Sequence, residues 1–280
     1  EKESGPSAPT LALRYNEWDY RRGGYRDKWC TLYEKVLEPV SSNFMVMTLE
    51  KYRTQNKRLR RQFAMLRPSH RVVRRRRYGD DIDLDALIEA FCDTRAGLAP
   101  SDRLFTRSLR VQRDITTMLL VDMSYSTEGW IGLALKEALV LLAEALEAVG
   151  DSYGIYGFSG MRRSKCELYE IKNCSEAYSP LVQGRIAAIT PKEYTRMGPP
   201  IRHLTQKLLG LPSKVRLLLV ISDGKPEDYD DYKGQYAIED TRKALLEARG
   251  LGIFSFCITI DKSAHEYLPH MFGMGNYIFV

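Results

Sequence analysis

Five oxygen-bearing side chains carry the chemistry of this chain. The apolar run Leu119-Leu120-Val121 leads directly into Asp122-Met123-Ser124-Tyr125-Ser126, so a carboxylate and two hydroxyls follow one another at alternate positions. A second apolar run, Leu218 to Ile221, leads into Ser222-Asp223-Gly224. Between them, Tyr194-Thr195-Arg196-Met197-Gly198 offers a third hydroxyl in a loop just before a helix. Three hydroxyls and two carboxylates are hard donors, suited to Mg²⁺ or Mn²⁺ and ill suited to zinc or copper. If the hydroxyls coordinate directly and the carboxylates act mainly through water or hydrogen bonds, a six-coordinate ion stays under-neutralised. Its sixth position then suits an acidic side chain from outside the chain.

Elements that bring such residues together are legible from periodicity. From about residue 111, apolar strand-like runs alternate with helical stretches. Ile115–Val121, Tyr153–Phe158, Cys166–Ile171, Val215–Ile221 and Ile253–Ile260 read as strands. Trp130–Val149, Gly198–Leu209 and Ile238–Ala248 read as helices. The polar alternation of Cys166–Ile171 suggests a sheet edge. Alternating strands and helices with near-continuous apolar strands imply an α/β fold, a doubly wound and mostly parallel sheet with helices on both faces. Ligands of such sheets bind beyond the carboxyl ends of the strands, where the strand order reverses. Residues 1–110 read as a separate, charged and mainly helical region. Within it, 1–10 are Ser/Pro-rich and expected to be disordered, and the aromatic start Tyr15 to Trp29 suggests an extended arm packed on the body. Residues 42–66 form a helix that Pro68 stops, and a second helix opens at Asp83.

Composition narrows the function. The net charge of +6 is uneven: Lys51 to Arg77 holds twelve Lys or Arg and no acid, and six acids follow between Asp80 and Asp93. Without aromatic interleaving or a helix-turn-helix pattern, that basic block points to its acidic neighbours or to a protein partner and not to nucleic acid. The acids around Asp228, Asp230 and Asp231 read as a solvated or partner-facing loop. Five cysteines without a CxxC pair indicate reduced thiols, hence the cytoplasm. No signal peptide or membrane-spanning run is visible, and the chain lacks an initiator Met, as expected of part of a longer protein. His265, Glu266 and His270 lack the i, i+4 spacing of a zinc protease, with Pro269 intervening. Ser124 and Ser126 have no nucleophile elbow; Ser159 reads as a turn residue and His203 as a polar helix residue. No phosphate-binding loop occurs, so ATP hydrolysis is not expected; without a nucleophile elbow or partner His, hydrolase chemistry is not expected either, and the chain is read as a non-enzyme.

Asp122-x-Ser124-x-Ser126, Thr195 and Asp223-Gly224 together match the metal-ion-dependent adhesion site of von Willebrand factor A (VWA) domains, and residues 111–280 are identified as such a domain. Further stretches resemble one VWA subfamily: Tyr194–Gly198, Ile201-Arg202-His203, Asp223–Tyr229, Gly234–Arg242, Asn16–Asp19 and Gly79–Asp85. That subfamily comprises the nitric oxide reductase activation protein NorD and the Rubisco activation protein CbbO. The resemblance spans nearly the whole chain and implies the C-terminal part of a longer member. It also implies a hexameric MoxR-type AAA+ ATPase as partner, with ATP-driven remodelling directed at Rubisco, to which we lean slightly, or at nitric oxide reductase. Tyr125, Arg196 and Lys225, beside the metal-site residues in the chain, and Arg74, Arg75, Arg76 and Arg77 of the basic block are the expected partner contacts. A binding module with no motor partner is the alternative.

Overall fold

The computed structural model describes residues 12–65, 70–110, 114–261 and 264–279. The Ser/Pro-rich start and Pro68 lie outside them. Two bodies compose the chain: one runs up to Ala64 and resumes at Asp114, and the other is Met65–Arg113. In chain order, the main body begins with strands β1 (Ala12–Asp19) and β2 (Gly24–Val36) and helices α1 (Phe44–Lys51) and α2 (Arg53–Ala64). The second body holds β3 (His70–Arg76), β4 (Asp81–Ile82), α3 (Leu84–Arg95) and β5 (Phe105–Arg110). The main body resumes with β6 (Ile115–Asp122), α4 (Trp130–Val149), β7 (Ser152–Gly160), β8 (Cys166–Lys172) and α5 (Pro180–Ala187). It ends with α6 (Gly198–Leu209), β9 (Val215–Ser222), α7 (Gln235–Gly250), β10 (Ile253–Thr259), α8 (Leu268–Phe272) and β11 (Tyr277–Phe279).

Eight strands form one sheet in the order β1-β2-β8-β7-β6-β9-β10-β11. From β7 to β11 neighbours are parallel, whereas β8 runs antiparallel to β7. Strand β6 sits in the middle, and its residues serve both faces with the period of two that a pleated strand imposes. Met118 and Leu120 join the core under α6 and α7. Leu119 and Val121 join the core under α4, with Leu135, Leu139 and Val140. Each such buried Leu or Val contributes roughly 1.5–3 kcal/mol over exposure. The chain leaves β6 toward β7 on one side and returns through β9 on the other, so the strand order reverses between β6 and β9.

The doubly wound reading from residue 111 onward holds, but the division at residue 110 does not. Residues 12–36 are not helical. They form a hairpin whose second strand pairs in parallel with β8, Leu32 opposite Cys166. Strand β8 is therefore interior, and its polar alternation is satisfied within the protein. Glu167 accepts from Lys35 Nζ at 2.6 Å and Tyr169 OH at 2.6 Å, and Lys172 Nζ donates to the Tyr153 carbonyl at 2.9 Å. The expected helix over 42–66 is two helices broken at Tyr52. There Tyr52 OH and Lys51 Nζ both reach Glu137 of α4, at 2.8 Å each, while Met45, Leu49 and Phe63 pack into the α4 core. All five cysteines are free thiols, and no helix among the described residues is long and apolar enough to cross a membrane.

The hairpin is tied to α6 by charge. Glu34 accepts from His203 Nε2 at 3.2 Å and from Lys207 Nζ, and Tyr15 OH meets His203 Nδ1 at 2.6 Å. Burial pushes the Glu34 carboxyl up, but the bonds from His203 and Lys207 outweigh it and bring it down to about 2. A carboxylate depressed in the fold stabilises above its unfolded pKa, and this contribution is lost as pH falls through the folded value. Stability should therefore drop between about pH 4.5 and 2 by at most about 3 kcal/mol on account of Glu34. In Glu34→Gln, acid unfolding followed by circular dichroism should show a shallower decline over that window; an unchanged profile would rule the coupling out.

The second body is small and mixed. Its strands pair in the order β3-β5-β4. Helix α3 starts as expected: the Asp83 side chain accepts from Ala86 N at 3.5 Å, and Asp85 lies in the first turn.

Candidate functional site

Asp122 ends β6 and Asp223 follows the last residue of β9, which places both carboxylates where the strand order reverses. After Asp122 the chain cannot continue straight. Met123 is buried, with its sulfur against Gly157 of β7; a Cβ at that glycine would lie 2.2 Å from Met123 Sδ. That seat turns the following loop into a single 3-10 turn, Tyr125–Thr127. The Thr195 loop is stitched on by backbone bonds from three sides: Lys192 N to Met123 O (2.7 Å), Tyr194 N to Gly160 O (2.8 Å) and Thr195 N to Glu227 O (2.8 Å).

These constraints bring the five sequence-derived residues into one connected group. Asp122 Oδ1 accepts from Ser124 N at 2.9 Å, and Asp122 Oδ2 from Thr195 Oγ1 at 3.5 Å. Ser124 Oγ and Ser126 Oγ are 2.8 Å apart, and Ser126 Oγ donates to Asp223 Oδ1 at 2.9 Å. Asp122, Ser124 and Thr195 form a buried floor, while Ser126 stands exposed at the rim and Asp223 is half-buried. Burial first, then the nearby Asp223 charge, pushes the Asp122 carboxyl up to about 6, and burial likewise raises Asp223. A buried and a half-buried carboxylate near each other among neutral hydroxyls have no cationic partner among the described residues, and a hard divalent cation is the group such a donor set fits. Among the described residues, no group of three or more His, Cys, Asp or Glu could hold a metal, so a thiol- or imidazole-rich centre has no counterpart.

Sequence reasoning missed Ser222, whose Oγ donates to Asp122 Oδ2 at 2.8 Å. It faces the site as the last strand residue before Asp223, a position readable from the strand end alone.

Arg196 requires a correction. It does not face a partner: it is 1% exposed and is gripped by three carboxylates from two places in the chain. Its guanidinium donates to Glu17 of β1 at 3.0 Å, to Asp228 at 2.6 Å and to Asp230 at 2.9 Å. Asp228 and Asp230 of the acidic loop are accordingly folded onto Arg196, Asp228 being 3% exposed, while Asp231 stays exposed as expected. Buried guanidinium pairing of this kind satisfies charges that could not otherwise leave water. One turn further, Gly198 allows the approach of Asp240, whose Oδ2 would lie 2.0 Å from a Cβ there. Asp240 in turn accepts from Trp18 N (2.8 Å), Arg202 Nη2 (2.8 Å) and Tyr232 OH (2.9 Å).

The other expected contacts are outside. Tyr125 is 65% exposed beside Ser126, and Lys225 is exposed, with its Nζ 3.3 Å from Glu266. In the second body, Arg74, Arg75 and Arg77 pair with Asp85, Glu89 and Asp102 at 2.7–2.9 Å. Ser159 is not a turn residue: it lies within β7, and its Oγ accepts from Glu193 N at 2.9 Å. His203 is 6% exposed, held by Tyr15 and Glu34. His270 bonds Glu239 at 2.6 Å, and His265 packs edge-on to Tyr277.

A central parallel sheet wound on both sides, with an Asp-x-Ser-x-Ser turn, a threonine and a second aspartate at its switch point, defines a von Willebrand factor A-type domain. No protein-family model matches the chain. Curated relatives do. Protein NorD of Brucella melitensis is 40% identical over 97% of this chain and 43% of its own length. An uncharacterized protein of Pseudomonas aeruginosa, PA0525, is 41% identical over 98% of this chain and 45% of its own. Protein NorD of Stutzerimonas stutzeri is 35% identical over 96% and 44%. This chain thus spans less than half the length of these relatives. Solved structures similar to it are more distant. The PilB minor pilin of Streptococcus sanguinis has a TM-score of 0.43 at 17% identity, covering 63% of this chain and 59% of that one. A von Willebrand factor type A protein of Catenulispora acidiphila has a TM-score of 0.41 at 14% identity, covering 60% and 37%. The chain belongs to the family of VWA-domain proteins that includes those named NorD.

Proposed function

We propose that this chain is a non-catalytic, target-binding part of an AAA+ remodelling complex, and that it grips an acidic side chain of a partner through Mg²⁺ held at Asp122, Ser124, Ser126, Thr195 and Asp223. The observation that carries the reading is the convergence of those five side chains, in one hydrogen-bonded group, at the switch point. A bound Mg²⁺, or Mn²⁺ in its place, would supply a hard, electrophilic position for an incoming carboxylate. The protein's own part is orientation: Asp122 is fixed by Ser124 N and Ser222 Oγ, and the Thr195 loop by Gly160 and Glu227. A concavity of about 380 Å³, lined among others by Asp122, Tyr125, Leu133, Lys136 and Ile189, opens beside the site and can receive the rest of the partner's contact.

The motor partner is taken from the family resemblance: a hexameric MoxR-type ATPase. The target we favour is now nitric oxide reductase over Rubisco, because relatives at 35–40% identity carry the NorD name. The deciding experiment is co-purification of target enzyme and ATPase with tagged chain from the native host, in Mg²⁺ or in EDTA. Target capture should be lost in EDTA and in Thr195→Ala while the ATPase is retained. Capture that survives both treatments would remove the metal-mediated reading, and absence of any ATPase would leave a stand-alone binding module.

A further inference from the structure

The Met65–Arg113 body gathers its positive charge on one wall. In a regular strand, successive side chains point to opposite faces, so Arg75 and Arg77 would share a face that Arg76 does not. Here the pairing of β3 with β5 shifts register between Val73 and Arg76, and Arg75 has a φ of 56°. Bulges of this kind re-aim side chains, and holding a non-glycine residue in the left-handed region costs about 1 kcal/mol or more. As a result Arg75, Arg76 and Arg77 line one concavity of about 680 Å³, together with Tyr78, Arg103 and Arg107. Among the described residues no acid lines that wall. Arg75 and Arg77 are neutralised from outside it by Glu89 and Asp102. Among the described residues Arg76, Arg103 and Arg107 are exposed and have no carboxylate partner. Gathered like charges raise the local potential and attract anions. That every cation here is arginine favours planar oxyanions, which the guanidinium fork meets with two parallel bonds.

We propose that this concavity is a second, metal-independent carboxylate site, in which Arg76, Arg103 and Arg107 hold an acidic segment of a partner protein. Neighbouring arginines of the same strand already hold carboxylates in this way, Arg74 on Asp85 at 2.7 Å and Arg75 on Glu89 at 2.9 Å. Extended peptide presents same-side carboxylates about 7 Å apart, a spacing that guanidiniums around such a cavity can follow. Nucleic acid is less well served: among the described residues Tyr78 is the single aromatic ring of the wall, against the several stacking platforms that single strands require.

The site stands apart from the metal reading, and the test separates the two. A fluorescent oligoglutamate peptide is titrated with the chain in EDTA and followed by anisotropy. The triple variant Arg76→Gln, Arg103→Gln, Arg107→Gln should bind at least about tenfold more weakly, as expected for lost charge-assisted pairs. The charge-matched triple Arg53→Gln, Arg58→Gln, Arg61→Gln, exposed on α2, should stay within about twofold, and so should Asp122→Asn. Arg107→Gln alone, a milder change at an exposed strand position, should give an intermediate loss. Equal weakening by both triples would reduce the effect to diffuse charge and overturn the proposal. So would binding that requires Mg²⁺, or displacement of the peptide by a lower concentration of an oligonucleotide of equal charge.

Discussion

Asp122→Asn should abolish the thermal stabilisation that Mg²⁺ confers on the wild-type chain. A ligand that binds only the folded state stabilises by RT ln(1 + [L]/Kd), about 2.7 kcal/mol at a hundred times Kd. For a body of this size that is an upward shift in Tm of roughly 5–10 °C. Asparagine keeps the volume of Asp122 and can still accept from Ser124 N, so the variant should fold. It lacks the charge, and its amide nitrogen faces either Ser222 Oγ and Thr195 Oγ1 or Ser124 N, all of which now donate to Asp122. Differential scanning fluorimetry across a Mg²⁺ series should therefore give a rising Tm for wild type and a flat one for the variant. Parallel curves would place any bound metal elsewhere, and a flat wild type at saturating Mg²⁺ would remove the site from consideration.

Arg196→Gln should be the most destabilising single change in the vicinity, by about 3–5 kcal/mol. Removing one partner of a buried ion pair leaves the other charges uncompensated, and that is the range such losses fall in. Here a side chain that is 1% exposed neutralises Glu17 and Asp228, themselves 1% and 3% exposed. Arg196→Lys should lose less, since it keeps the charge but not the fork that reaches Glu17 and Asp228 at once. Urea midpoints give the comparison. The double variant Arg196→Gln, Glu17→Gln should fall short of the sum of its singles, because each already breaks the same contact. Strict additivity would mean the pairing has no energetic weight.

How far these residues could be read in advance depended on whether their partners were local. Trp130–Val149 and Gly198–Leu209 carry their apolar period within themselves, and both helices lie where periodicity places them. Asp122, Ser124 and Ser126 share one loop at a strand end, so their proximity follows from alternation alone. Residues 12–36 were not legible as strands. Arg26, Asp27 and Lys28 interrupt the pattern of β2, and its buried positions, Cys30 and Leu32, become interior only by pairing with β8. Arg196 was misplaced for a related reason. Glu17, Asp228 and Asp230 lie far from it in sequence, and nothing near Arg196 signals that three carboxylates converge there. The arginine run at 74–77 was visible, but the bulge that turns three of its side chains to one side was not.

Pairing between β2 and β8 joins stretches about 130 residues apart in the chain. Loop-closure entropy makes such long-range parallel contacts late events in folding. During synthesis the hairpin leaves the ribosome before β7 and β8 and must wait, one strand edge open, until they have been made and the central sheet can receive it. Glu17 waits with it, so the cation of the Thr195 loop acquires its full set of counter-charges only when the hairpin and the later-made strands finally meet.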